Sequence, residues 1–419
     1  MKAIEIYCNF IKKNLDNPSF AKKLINLGIG VAEKYVSYFG DRKVLASHRY
    51  LNEICMKYMR ESLYNPERSA WVNIFTPTEI FHAMGVFPLF IEAYSSFMSG
   101  FFIEDVLIDK AEAAGISNTL CSFHKAFIGA GEYGILQKPK MAVTTSIICD
   151  ANLNTFRYLA KKYDIPFYII DVPSKSSENA VEYVKDQLVE IIQMSEDVFS
   201  QKFDIDKLGE IVKIENKTNE YRRKYLSYLS TKVCHSIMSF EMFMLFTSHV
   251  FMGRPETLKY YQKLLQDIKN APERSKKGIF FIHLVPMWEP SFQQYFNLGE
   301  NYDILGSDLN YDFIGKIDTS DPLKGIAEKL IGTTYNGDFA KISSHITKII
   351  DIVKPDGIIQ FCHWGCKQSI GTANLYKNIL KEKGIPFLIV DGDIMDKRNN
   401  QEGQINTRLE AFLEILESR

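Results

Sequence analysis

The spacing of apolar and polar positions changes several times along the chain, and each change marks an element. The first seventy or so residues carry charges throughout and read as helical; residues 45–64 mix apolar and basic positions without strand character. Thr76-Pro77-Thr78-Glu79 is a helix-start signal. Thr76 can cap, Pro77 suits the first helical position, Glu79 can bond back to the cap and Gly85 fits the stop. This predicts a helix over Pro77–Met84, followed by a short strand over Val86–Glu92. Met141–Cys149 is an apolar, β-branched run that reads as a buried strand, and Ala151–Tyr163 has helical spacing. Phe167–Ile170 is the next strand, and charged helices follow over Ser177–Ser195 and Asp204–Leu229. The last third repeats the scheme: strands over Gly278–Leu284, Ile358–Phe361 and Pro386–Val390, and helices over Phe339–Val353, 367–383 and Gln404–Leu416. Strand–helix alternation of this kind implies parallel sheets covered by helices. The expected fold is α/β: two Rossmann-like lobes with parallel sheets plus a helical N-terminal segment. The boundaries expected are 1–70 for that segment, 71–235 for the first lobe and 236–419 for the second.

Composition narrows the function. The chain has 419 residues, with 50 Lys plus Arg against 51 Asp plus Glu, so it lacks the basic excess of a nucleic-acid binder. The start, Met1 to Asp16, is interrupted by Glu5, Lys12 and Lys13, which leaves no secretory apolar core. The longest apolar run, Ser236–Met252, carries Glu241 and His249. It falls short of the roughly 18 uncharged residues of a membrane span and reads as a buried helix with a lining role. A cytoplasmic location and neither membrane nor nucleic-acid partners are therefore expected.

Several motifs fail on context. Gly129-Ala130-Gly131-Glu132-Tyr133-Gly134 matches a dinucleotide pattern. A helix precedes it and a strand follows, the reverse of what phosphate binding needs, so a tight turn is the better reading. No Walker-type loop, nucleophile elbow or H-E-x-x-H helix occurs, and the eight histidines lack zinc-ligand spacing.

The seven cysteines are more informative. Cys149 ends one predicted strand and Cys366 follows another, each just before a helix, at equivalent points of the two lobes. Ligands of open α/β sheets bind outside the carboxyl ends of strands, and a helix N-terminus favours thiolate. Cys8 and Cys55 read as packing. Cys121 stands open, as do Cys362, four residues before Cys366, and Cys234 at the head of the 236–252 run.

From about residue 70 onward, ordered stretches resemble the 2-hydroxyacyl-CoA dehydratase and benzoyl-CoA reductase family. They are Thr76–Gly85 with Pro88, the segment around Cys121, Ser146–Asp150, Cys362-His363-Trp364-Gly365-Cys366-Lys367, Gly384-Ile385-Pro386, Asp391-Gly392-Asp393 and Gln404–Glu414. The resemblance implies two α/β lobes around a [4Fe–4S] cluster on Cys121, Cys149 and Cys366, with one iron left open. It also implies a CoA-thioester substrate, an ATP-hydrolysing activator as electron donor, and a homodimer or a heterodimer with a paralogous subunit. His363 and Trp364, between two candidate ligands, are candidate catalytic residues. Two departures stand out: Ser122 follows Cys121 where dehydratases often have proline, and Cys362 and Cys234 are additional thiols. A branch with a double-cubane [8Fe–9S] cluster needs about six thiolates and reduces small molecules; seven cysteines permit it. A non-catalytic partner subunit is the third alternative.

Overall fold

The computed structural model describes residues 2–39 and 43–419. Strands β1 (Ser69–Val72), β2 (Phe87–Phe90), β3 (Met141–Thr145) and β4 (Phe167–Ile170) form one sheet in the order β2-β1-β3-β4. Strands β5 (Lys277–His283), β6 (Tyr302–Ser307), β7 (Gly357–His363) and β8 (Phe387–Gly392) form a second in the order β6-β5-β7-β8. All neighbours pair in parallel. The two orders are the same, so each sheet reverses direction between its first and third strands, the switch point at which α/β folds bind ligands. Every residue of β1, β3, β6 and β7 is buried, as expected of strands covered on both faces.

Helices α1 (Lys2–Lys13), α2 (Pro18–Phe39) and α3 (Ala46–Tyr64) precede the first strand. Helices α4 (Glu79–Ala83) and α5 (Ile91–Ser99) flank β2, and α6 (Glu104–Ala113) pairs with α7 (Ser122–Glu132) before β3. Helix α8 (Asp150–Tyr163) joins β3 to β4. Between the sheets run α9 (Glu178–Phe199), α10 (Ile205–Tyr228), α11 (Met238–Leu245) and α12 (Pro255–Asn270). The second sheet is completed by α13 (Pro290–Phe296), α14 (Pro322–Gly332), α15 (Phe339–Val353), α16 (Lys367–Glu382) and α17 (Glu402–Glu417). Amphipathic spacing explains the packing. In α15, Ile342, Ile346, Ile349, Ile350 and Val353 share the buried face, each contributing roughly 1.5–3 kcal/mol. Among the described residues no helix is long and apolar enough to cross a membrane.

Buried polar ties fix one sheet against the other. Lys329 of α14 lies 2.6 Å from both Glu79 of α4 and Glu215 of α10. Burial opposes charge on all three; the lysine outweighs it at Glu79, whose carboxyl is lowered, while Glu215, buried and repelled by Glu79, stays raised to about 8. Lys125, fully buried, reaches Glu112 at 2.8 Å and Asp396 at 3.3 Å.

Four expectations need correction. Thr76 does not cap a helix: its hydroxyl lies 2.7 Å from Asn73 Oδ1 and 3.1 Å from the Val143 carbonyl. The helix starts at Glu79, whose carboxylate is committed to Lys329 instead of reaching back. Strands β1 and β6 were not foreseen; β1 is only four residues long and β6 lies in a stretch left unassigned. The 141–149 strand ends at Thr145. Of the Gly129–Gly134 stretch, Gly129 and Gly131 sit inside α7, and the expected turn is confined to Tyr133-Gly134, where Gly134 has a φ of +69°. A Cβ at Gly129 would lie 1.8 Å from the Leu107 carbonyl oxygen, so glycine there permits the close α6–α7 contact.

Candidate functional site

Three cysteines meet at one cavity although they come from distant points of the chain. Cys121 is the N-cap residue of α7, Cys149 of α8 and Cys366 of α16. Each thiol thus sits where unpaired backbone N–H groups and the helix dipole favour negative charge. The cavity holds about 220 Å³ and lies outside the carboxyl ends of both sheets, at the two facing switch points. Cys121 and Cys366 are brought together by Gly365. Its φ is +78°, and a Cβ there would stand 2.5 Å from the Cys121 nitrogen. Only glycine lets the loop after β7 pass this close to the start of α7.

Each sulfur faces its own buried histidine. Cys121 Sγ is 3.3 Å from His363 Nε2, Cys366 Sγ is 3.3 Å from His283 Nε2, and Cys149 Sγ is 3.7 Å from His124 Nε2. The His363 tautomer is determined: the Ile394 backbone N–H donates to Nδ1, so Nε2 carries the proton of the neutral ring. His283 Nδ1 is buried without a partner, and its backbone N–H donates to Asp308.

The thiols differ in acidity. Burial pushes Cys121 well above the ordinary range, and the neighbouring Cys366 and Cys149 add to the rise. Burial likewise raises Cys149 to about 12. Burial opposes ionisation of Cys366 too, but the charge and hydrogen bond of His283 overcome it and bring the thiol down to about 7. Burial lowers His124 to about 4. Glu92 also lines the cavity. Burial raises its carboxyl to about 7; one oxygen accepts from Asn152 Nδ2 at 3.1 Å and the other is buried without a partner. The remaining walls are mostly apolar, among them Phe97, Phe243 and Phe246.

The other cysteines lie elsewhere. Cys362 and His363 are neighbours on β7 and so point to opposite faces. The Cys362 thiol contacts the Ser369 carbonyl at 3.5 Å, away from the cavity. Cys234 is buried beside Asp303, which accepts its backbone N–H at 2.6 Å. Cys8 and Cys55 are buried in the core as expected. Neither expected catalytic residue lines the cavity: His363 is fully buried behind Cys121, and Trp364 is 45% exposed. Glu92, His124 and His283 were missed. His283 carried a usable signal, since it ends β5 just as Cys149 and Cys366 follow their strands.

Three thiols at one cavity, even with the carboxylates of Glu92 and Asp150 on its wall, suit a soft metal group more than a hard cation. Among the described residues no three His, Cys, Asp or Glu side chains converge on a point that fits a single metal ion. Thiolates that each take a different iron of a cluster need no common point. A set of three thiols fits an iron–sulfur cluster.

The family model for the 2-hydroxyglutaryl-CoA dehydratase D-component matches residues 73–416. The chain is 23% identical to the (R)-phenyllactyl-CoA dehydratase alpha subunit of Clostridium sporogenes, covering 88% of this chain and 95% of that one. It is 21% identical to the (R)-2-hydroxyisocaproyl-CoA dehydratase alpha subunit of Clostridioides difficile, covering 75% and 81%. A benzoyl-CoA reductase subunit of Thauera aromatica is 24% identical, with 75% and 80% covered.

Proposed function

Because the chain belongs to the 2-hydroxyglutaryl-CoA dehydratase D-component family, we propose that it is the cluster-carrying component of a 2-hydroxyacyl-CoA dehydratase. In this reading Cys121, Cys149 and Cys366 hold a [4Fe–4S] cluster. When bound, such a cluster supplies one-electron chemistry that no side chain here provides. The observation that carries the reading is the meeting of three helix-N-terminal thiols at one apolar cavity.

The chain's own groups have definable tasks. His124, His283 and His363 orient the three sulfurs, and an N–H donated to sulfur stabilises thiolate. The apolar walls exclude water from the site. Loss of water from a 2-hydroxyacyl thioester breaks the C–O bond at carbon 2 and a C–H bond at carbon 3. It needs a group that can take one proton and give one. Glu92, which lines the cavity and whose carboxyl burial raises to about 7, is suited to that exchange near neutrality. An ATP-hydrolysing activator is the expected electron donor. A second, different chain as partner is supported by relatives that are themselves named as subunits of dehydratases and of a reductase.

Iron and sulfide analysis of anaerobically purified protein tests this. About four irons per chain is expected. About eight would instead favour the double-cubane alternative, and none would reduce the chain to a non-catalytic partner. Cys149→Ala should abolish the visible cluster absorbance; an unchanged spectrum would remove Cys149 from the ligand set.

A further inference from the structure

The thiol cavity does not end in bulk protein. A second, larger apolar hollow of about 620 Å³ adjoins it, open to the surface on its far side, where the exposed Leu27 and Val31 of α2 line it with Tyr7 of α1. The two spaces share four residues: Ser96, Phe97, Phe243 and Met287. The partition is therefore one side chain thick. Phe97 and Phe243 stack at 6.1 Å with 30° between their planes, and Phe246 lies edge-on to both at 6.2 and 6.4 Å. Ser96 is the partition's hydroxyl, and it is bonded to the Glu92 carbonyl at 3.2 Å. Nothing in the partition thus offers a charge or a free donor to a ligand.

The cavity's charged groups lie elsewhere. Among the described residues lining it, Lys367 is the lone lysine or arginine, and it is exposed at the rim with Asp150. A ligand that placed a carboxylate against the aromatic partition would bury that charge without a counter-ion, at a large desolvation cost. An aryl or branched alkyl group in the same place would gain apolar burial and ring contacts.

We propose that the partition formed by Phe97, Phe243 and Met287 selects the acyl group of the substrate. It accepts an apolar aryl or branched-alkyl side chain, rejects one ending in a carboxylate, and limits length by closing the cavity off from the hollow behind. This deepens the thioester reading above and rests on it for the position of the CoA portion. The hollow is reserve space that chain length reaches only when the partition is trimmed.

The test is calorimetric titration of the full chain with 3-phenylpropionyl-CoA, glutaryl-CoA and dodecanoyl-CoA, and with 3-phenylpropionamide and glutaramate, which lack CoA. The unmodified protein should bind the phenylpropionyl thioester at least tenfold tighter than the glutaryl one, and the amides should keep the same order. Phe243→Ala should tighten dodecanoyl-CoA at least tenfold, and adding Ala32→Phe, which fills the hollow from α2, should cancel that gain. Met287→Ala serves in the same role if Phe243→Ala does not fold. Equal affinity for aryl and carboxylate-ended ligands, or no gain for the long chain in either trimmed variant, overturns the proposal. If the amides keep the preference but thioesters bind no tighter than amides, the partition's selectivity stands and the CoA-thioester reading fails.

Discussion

Cys149 and Cys366 occupy the same place in two sheets of identical strand order. Each follows the third strand, and each is the N-cap of the helix that follows. Topology and helix dipole should therefore treat them alike, yet burial raises Cys149 to about 12 while Cys366 stands near 7. Burial opposes both thiolates, so the difference comes from the partners. His283 lies 3.3 Å from Cys366 and is itself raised: burial opposes its charge, and the Cys366 thiolate, its hydrogen bond and Asp308 together outweigh burial. His124 lies farther from Cys149, at 3.7 Å, is lowered to about 4, and shares its surroundings with the acidic Glu92. The fold repeats a position; the second residue at that position decides its chemistry.

The largest expected effect would break the comparison by removing one side. Cys366→Ser should cost all cluster absorbance in anaerobic protein, as Cys149→Ala should, because the proposed cluster takes a thiolate from both sites whatever their acidity; partial retention would show unequal roles. The next is kinetic. In iron-free protein, iodoacetamide labelling read by peptide mass should reach half-maximal rate near pH 7 at Cys366 and stay slow below about pH 10 at Cys149. Equal pH profiles would refute the asymmetry. His283→Ala should then slow Cys366 labelling at pH 7 by about tenfold or more, since the thiol returns toward or above its ordinary range. His124→Ala should leave Cys149 slow.

Glu92→Gln gives a smaller effect. The folded carboxyl is raised to about 7, so the folded state holds its proton more tightly than the unfolded chain. Its contribution is present in full below about pH 4 and is lost as pH rises through 7. Glutamine should therefore stabilise the protein relative to glutamate at pH 8, by on the order of 2–3 kcal/mol, and make no difference at pH 4. Thermal melts at the two pH values check this. Smallest of all, Trp364→Ala should leave iron content unchanged, because the ring is nearly half exposed and off the cavity; a loss of iron would return Trp364 to the site.

Much of the scaffold was legible. Phe167–Ile170 and Phe339–Val353 fall where periodicity placed them, because an unbroken apolar face has one way to be buried. The 236–252 run does line the cavity, through Met242, Phe243, Leu245 and Phe246. Its second half, Phe246–Val250, winds as a π-helix that hydropathy does not signal. Thr76 misled because a capping pattern looks the same whether its glutamate turns back or pairs with a lysine 250 residues away. Cys362 stood open because sequence proximity to Cys366 does not reveal which face of β7 the thiol takes.

The sequence by itself determined the strand–helix alternation, the two-lobed parallel architecture and the placing of Cys149 and Cys366 at strand ends, since these follow from local periodicity and capping. Only the tertiary structure decided which thiols meet, which histidine each one faces and where the apolar partition stands. Cys121 and His363 are 242 residues apart in the chain, and a contact at that separation depends on how two sheets pack, which no local spacing of residues encodes.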